Sequence, residues 1–170
     1  MTAHTRWMRE GILVGLTAFA TVAAFYAAFD LLAQRGALYT VHALGVAITQ
    51  GAAEVPDPGS GVAAAFAPVA IYSALHLAVS LAAGVLVCRL VHEGELMPMQ
   101  AQIALLFVIA GFAGTIGVIG WLTASLRDVL PWWSIIAANA LAVFVAGQLM
   151  LRRHPSFLED LTRNPRFPSA

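Results

Sequence analysis

The sequence contains no lysine, and only 11% of its residues are charged. About a quarter of the residues in ordinary soluble domains are charged, so this chain has too little charge to cover a soluble surface. Hydrophobic residues make up 60% of the 170 residues, and the mean hydropathy is +0.81. These values predict an integral membrane protein. The net charge is zero and all nine basic residues are arginine, and we expect no nucleic-acid partner.

Cysteine is also scarce, and no complete catalytic motif is present. Cys88 is the single cysteine and lies in an apolar run, so the chain offers neither a disulfide framework nor a cysteine metal cluster. There is no Ser/His/Asp signature, no phosphate-binding glycine loop followed by lysine, and no HExxH or CxxC motif. An enzyme is therefore the least favoured class, and we expect no cofactor and no resident metal.

Long apolar runs are abundant, and four of them are long enough for the about 20 residues that a helix needs to cross a bilayer. The first run follows Arg9 and continues to Leu32, which favours a transmembrane helix over a cleaved signal peptide. The segment after Tyr39 is too short to span, so we interpret it as a re-entrant or interfacial helix. The predicted fold is all-α, a polytopic membrane four-helix bundle in a single domain of residues 1–170. Its predicted parts are spans at residues 8–34, 62–91, 98–126 and 132–151, a short helix at about 40–50 and a cytoplasmic tail at 152–170.

Small residues recur on several of these spans. In the third, glycines repeat every three residues, a spacing that forms a groove winding slowly around a helix. Close helix packing is the favoured role of this groove, and a bound lipid or apolar ligand is the alternative. Gly11 and Gly15 form a further small pair that would let another helix approach the first span. The groove glycines are Gly111, Gly114, Gly117 and Gly120, and a second small-residue face consists of Ala138, Ala142 and Ala146.

The arginines predict the orientation in the membrane. With four spans, Arg35 and Arg127 lie on one side and the other seven arginines lie on the side of the two termini. Cytoplasmic segments of membrane proteins carry an excess of arginine and lysine, so both termini are predicted to face the cytoplasm. The short helix and the loop that contains Glu54 and Asp57 then face outward. The seven arginines are Arg6, Arg9, Arg89, Arg152, Arg153, Arg163 and Arg166.

Five polar residues are candidates for a polar intramembrane or ligand site: Asp30, His42, Tyr72, His76 and Asn139. His76 lies at the centre of the apolar run from Phe66 to Arg89, around which we expect the chain to be organised. An ionisable group near the membrane midplane is by default a functional candidate. We favour the structural interpretation, in which His76 donates a hydrogen bond to a carbonyl or to Asn139.

Asp30 also has a structural and a chemical interpretation. It can pair with Arg35, or it can accept hydrogen bonds from the amides that begin the short helix, for which Thr40 is the expected N-cap. A metal site built from Asp30 and His42 is geometrically allowed, but it has only two obvious ligands. A bis-histidine haem would need a second histidine at the depth of His76, and the sequence provides none.

Three segments carry a resemblance to known proteins. They read FDLLAQRGALYTVHALG after the first span, IYSALHLAVSLAAGVLV in the second span and WWSIIAANALAVFVAGQLMLRRHP at the end. Together they resemble a group of small four-span bacterial membrane proteins without an assigned activity, and the resemblance covers most of the chain. In that group an acidic residue precedes Gly-Arg, an aromatic residue and Thr-Pro, whereas here Arg35 precedes Gly36 and Val41 replaces the proline. The resemblance implies the fold and a location in the bacterial cytoplasmic (inner) membrane, and it implies no substrate.

Two classes of function follow. The favoured class is a non-enzymatic helical bundle, in contact with the lipid bilayer, that acts as an accessory subunit or interacts with a lipid or a small molecule. Its assembly would be a homo-oligomer or a larger membrane complex. The alternative is a small transporter or proton-coupled membrane protein centred on His76, with Tyr72 and Asn139 along the path and Asp30 at its outer mouth. That alternative requires a water-filled cavity that reaches the midplane.

Overall fold

A computed structural model describes residues 3–58, 60, 63–96, 106, 108–114, 116–117, 124–127 and 130–154. All regular secondary structure within these residues is helical. The helices are α1 (Ala3–Leu32), α2 (Tyr39–Thr49), α3 (Phe66–Leu96) and α4 (Trp132–Arg153), and 3₁₀ turns occupy Ala52–Glu54 and Ala124–Leu126. Residues 108–114 and 116–117 are also helical.

Three of the helices are long and apolar enough to cross a membrane. They coincide with three of the four predicted spans and confirm the expectation of an all-α chain with helices of spanning length. The predicted span at residues 98–126 lies largely outside the described residues. The apolar segments of spanning length are Trp7–Leu32, Phe66–Glu93 and Trp132–Arg153.

Helix α1 packs along both α3 and α4. On one face, an added Cβ at Gly11 would lie 2.5 Å from the Val85 Cα of α3. Farther along the same helix, the buried Val22 and Tyr26 form an apolar cluster with residues of α4, among them Ile135. Within the described residues, α1 is therefore the helix that packs against both α3 and α4. The expectation that the chain is organised around the central run of α3 stays a prediction.

The directions of the helices follow from these contacts. Gly15 approaches Ser80 whereas Gly11 approaches Val85, so α1 and α3 are antiparallel. The end of α1 also meets the beginning of α4, where the rings of Phe29 and Trp133 lie 5.4 Å apart between centroids. Helix α4 is therefore antiparallel to α1 as well, and consequently α3 and α4 run parallel to each other.

The small residues predicted to mediate packing fall into two groups. Gly11 and Gly15 form a close contact between α1 and α3, as predicted, and Gly84 of α3 completes it from the other side. The alanine face of α4 also packs as predicted, because its three alanines are buried. By contrast, a Cβ added to any of the first three groove glycines meets no described atom within 4 Å, and Gly120 lies outside the described residues. The packing role of the groove formed by Gly111, Gly114, Gly117 and Gly120 therefore stays a prediction.

Helix α2 follows a tight turn after α1 and packs against the beginning of α3. The turn contains Gln34 at φ 57° and Gly36 at φ 84°, two left-handed backbone conformations that reverse the chain. An added Cβ at Gly45 would collide with the Pro68 carbonyl, so α2 and α3 touch backbone to backbone. The prediction of Thr40 as N-cap is wrong, since α2 begins at Tyr39. The Thr40 amide is instead capped by a residue of α1.

Candidate functional site

Asp30, at the end of α1, lies at the centre of a buried polar network. Its Oδ1 accepts hydrogen bonds from Arg35 Nε at 2.9 Å and from Thr40 Oγ1 at 2.6 Å. Its Oδ2 accepts a hydrogen bond from the Thr40 backbone amide at 2.7 Å, so the carboxylate caps α2, where the helix dipole favours an anion. Both contacts expected of Asp30 are present. We call Asp30, Arg35 and Thr40 the Asp30 network.

Two aromatic rings enclose the cation of this network. The Arg35 guanidinium carbon lies 4.7 Å from the Phe29 ring centroid and 4.9 Å from that of Tyr39, both within cation–π range. The Tyr39 hydroxyl donates a hydrogen bond to the Pro56 carbonyl at 2.6 Å. Burial raises the pKa of the Tyr39 phenol, so it stays protonated and remains a donor at neutral pH. The network therefore joins the end of α1, the turn, α2 and the following loop, which is the arrangement of a structural support.

The hypothesis of a metal site with Asp30 and His42 finds no support in these contacts. His42 is buried in α2, but the Asp30 carboxylate accepts its hydrogen bonds from Arg35 and Thr40 in the described part of the chain. Among the described residues, no group of three or more histidines, cysteines or acids is placed to hold a metal ion.

His76 packs among aromatic rings in the middle of α3. Its ring centroid lies 5.2 Å from that of Phe19 on α1 and 5.7 Å from that of Tyr72. Asn139 instead donates to the carbonyl of Ile135 in its own helix at 2.8 Å. The expected bond between His76 and Asn139 is therefore not formed within the described part of the chain. The reason is that α3 and α4 both pack against α1, which brings His76 to Phe19.

An open groove along α1 and α4, the α1–α4 groove, was not predicted from the sequence. Its volume is about 780 Å³, and its lining includes Ala20, Ala24, Phe25, Phe29, Trp133 and Leu141. Helical residues advance by about 100° each, so Ala20 and Ala24 lie on the side of α1 opposite the glycines that face α3. The alanines leave space beside the rings. Their four-residue spacing next to two phenylalanines was the available sequence signal.

The α1–α4 groove has an apolar surface, and the hydroxyl groups in its lining already donate hydrogen bonds within α1. Among the described residues of its lining, Thr17 and Thr21 are the ones that carry a hydroxyl. Each donates to a carbonyl four residues earlier in its own helix at 2.8 Å. Their hydroxyl protons are therefore already committed, and the groove is suited to a hydrocarbon occupant.

No protein family, curated protein or solved structure matches the chain. Its function must therefore be argued from residues and contacts. Of the two sites described above, the Asp30 network is engaged within the protein, whereas the α1–α4 groove is open. Its volume lies within the range of about 300–1,000 Å³ that is usual for ligand sites.

We expect His76→Gln to lower the free energy of unfolding by about 1 kcal/mol, because glutamine loses the ring contacts with Phe19 and Tyr72. His76→Phe keeps a ring and is expected to retain more of the stability. Thermal unfolding in detergent measures both effects. If His76 is a packing residue, the pH dependence between about pH 5 and 8 should be the same in the wild type and both variants. A pH response of the wild type that both variants lose would contradict the packing interpretation and favour proton coupling.

Proposed function

We propose that the protein is a non-enzymatic four-span bundle of the bacterial cytoplasmic membrane that binds a lipid or another apolar molecule in the α1–α4 groove. The observation that carries the proposal is the groove itself, which is ligand-sized at about 780 Å³ and lined almost entirely by apolar side chains. The most polar candidate, Asp30, is used in a structural network instead. Binding of a lipid is also consistent with a role as an accessory subunit in a larger complex.

The parallel direction of α3 and α4 supports a fourth span. Helix α3 ends at Leu96, near the end of α4, where Val91 packs against Met150 and Leu151. Helix α4 begins at Trp132, at the opposite end of the bundle. We propose that the segment between these two helices contains the fourth span, for which about 20 residues suffice. Helix α2 has 11 residues, too few to span, and we propose that it is the interfacial or re-entrant helix.

The orientation proposed from the arginines places both termini in the cytoplasm. A reporter fused after Ala170 is expected to be active there. In a Cys88→Ser background, Ser60→Cys and Arg127→Cys are expected to react with a membrane-impermeant maleimide on intact cells, whereas Glu93→Cys reacts only after lysis. Labelling of the Arg127 and Glu93 positions from the same side would contradict the fourth span. Reversal of every signal would instead contradict the orientation.

A residue that fills the α1–α4 groove tests the proposed function. Ala24 lines the groove, so Ala24→Trp is expected to lower the amount of lipid or apolar compound that co-purifies with the protein several-fold. Ala82 is an exposed alanine of α3 outside the groove, so Ala82→Trp is the matched control and is expected to change nothing. Mass spectrometry of organic extracts from equal amounts of purified protein measures the effect. Equal recovery from both variants would refute binding in the groove.

A further inference from the structure

Two cationic side chains lie near residues at one end of the α1–α4 groove, one over the ring of a lining residue and one over the ring of the residue before a lining residue. At this end Phe29 and Trp133 line the groove and contact each other. The Arg35 guanidinium lies over the Phe29 ring, and the Arg127 guanidinium lies 5.8 Å from the centroid of Trp132, the neighbour of Trp133. Tryptophan and arginine are typical of the level of the lipid headgroups.

The two arginines differ in what they can still bind. The Arg35 side chain is only 7% exposed and is paired with Asp30. Arg127 is exposed, and no carboxylate in the described part of the chain pairs with it. Among the described residues at this end, Arg127 is therefore the exposed cation that could bind an anion from outside the chain.

The dimensions of the groove favour a hydrocarbon chain over a protein helix. The lining extends along α1 from Thr17 to Leu32, roughly 22 Å at 1.5 Å per residue. A volume of about 780 Å³ over that length gives a mean cross-section of about 35 Å². A helix with side chains is about 10 Å wide and has a cross-section of roughly 80 Å². The length exceeds half of the hydrocarbon layer of about 30 Å, so the groove accommodates the acyl chain of one leaflet.

We propose that the α1–α4 groove binds one acyl chain of an anionic phospholipid and that Arg127 binds its phosphate-containing headgroup. Trp132 and Trp133 then lie at the level of the glycerol and the headgroup. This inference rests on the proposed function and adds the chemical class of the ligand and the residue that selects it. Guanidinium groups suit phosphate because they present paired donors to its oxygens.

Lipid titration of the purified full-length protein in detergent tests this proposal. The probes are dioleoyl-phosphatidylglycerol and dioleoyl-phosphatidylcholine, which have the same acyl chains and differ in net charge. Native mass spectrometry gives the apparent affinity of each and the number of protein chains in the complex. The wild type is expected to bind the anionic lipid more tightly than the zwitterionic lipid. Arg127→Gln is expected to lower the affinity for the anionic lipid about tenfold and to leave the affinity for the zwitterionic lipid unchanged. Arg89→Gln, which changes an exposed arginine of α3, is the control and is expected to keep the preference.

Each outcome of the titration bears on a separate claim. If Arg127→Gln leaves the preference for the anionic lipid unchanged while Ala24→Trp lowers the affinity for both lipids, the headgroup inference is overturned and the proposed function stands. If Ala24→Trp affects neither lipid, both are overturned. A complex of two protein chains without lipid that Ala24→Trp dissociates would identify a second copy as the occupant and would also overturn the inference. Arg127 is exposed, and unchanged helical content by circular dichroism verifies that its variant is folded.

Discussion

Replacing Asp30 with asparagine is expected to lower the free energy of unfolding by about 3–5 kcal/mol, the usual cost of removing one partner of a buried ion pair. The asparagine side chain can still accept a hydrogen bond from Thr40. It removes the negative charge that faces the Arg35 guanidinium, whose side chain is only 7% exposed. Reversible unfolding of the purified protein in mixed micelles measures the loss. The large effect follows from the burial of both charges and not from the length of the contact.

A second ion pair in the chain is a control for the effect of burial. Arg89 and Glu93 form an ion pair with the same 2.9 Å distance between Nε and a carboxylate oxygen, but their side chains are 61% and 44% exposed. Glu93→Gln makes the same change from carboxylate to amide and is expected to cost at most about 1 kcal/mol. Adding Arg35→Gln to Asp30→Asn is expected to recover part of the loss, because it also removes the buried positive charge. Equal losses for Asp30→Asn and Glu93→Gln would contradict the structural role of the Asp30 network.

The second large effect is expected at the contact between α1 and α3. A Cβ at Gly15 would lie 2.5 Å from the Ser80 carbonyl oxygen and 2.8 Å from the Leu81 Cα. Both are backbone atoms, so the helices must separate to admit a side chain. We expect Gly15→Leu to cost at least about 3 kcal/mol or to prevent folding, and we expect Gly15→Ala to be clearly destabilising.

Gly147 of α4 is the control for this series, since an added Cβ there meets nothing within 4 Å. Gly147→Ala is expected to be neutral or slightly stabilising, because alanine has the higher helix propensity. Fluorescence-detected size exclusion and thermal unfolding in detergent compare the two sites. If alanine is tolerated equally at both, α1 and α3 do not approach as described. Gly114→Leu in the same series tests the glycine groove of the third predicted span. The substitution is expected to be disruptive if the groove packs against protein and to be tolerated if the groove faces lipid.

Local patterns made much of the fold predictable. Apolar runs of spanning length were sufficient to place α1, α3 and α4 within a few residues, because the bilayer sets the length of a helix. The partners of Asp30 were also predictable, since Arg35 and Thr40 are five and ten residues away and the chain cannot take them far. The capping of α2 was assigned to Thr40 because local sequence favours a hydroxyl there. The carboxylate from α1 that supplies the cap is outside that local pattern.

Contacts between distant helices were the part that could not be predicted. A small-residue face indicates that some helix approaches, but it does not identify which one. For that reason the pair Gly11 and Gly15 was recognised while its partner, α3, was not. The α1–α4 groove was missed for the same reason. It exists only because Phe29 meets Trp133, and no periodicity in either helix encodes that meeting.

The central position of α1 also sets the order of events during biosynthesis. Helix α1 leaves the ribosome before both of the helices that it packs against. It must therefore remain in the bilayer while its faces for α3 and α4 still contact lipid, which its mean hydropathy of 2.0 over Trp7–Leu32 permits. The contact of α1 with α3 can then form, and Asp30 can join the end of α1 to the turn and to α2, before α4 is translated. Docking of α4 then brings His154 within 3.1 Å of Glu10, a contact between the beginning of α1 and the end of α4.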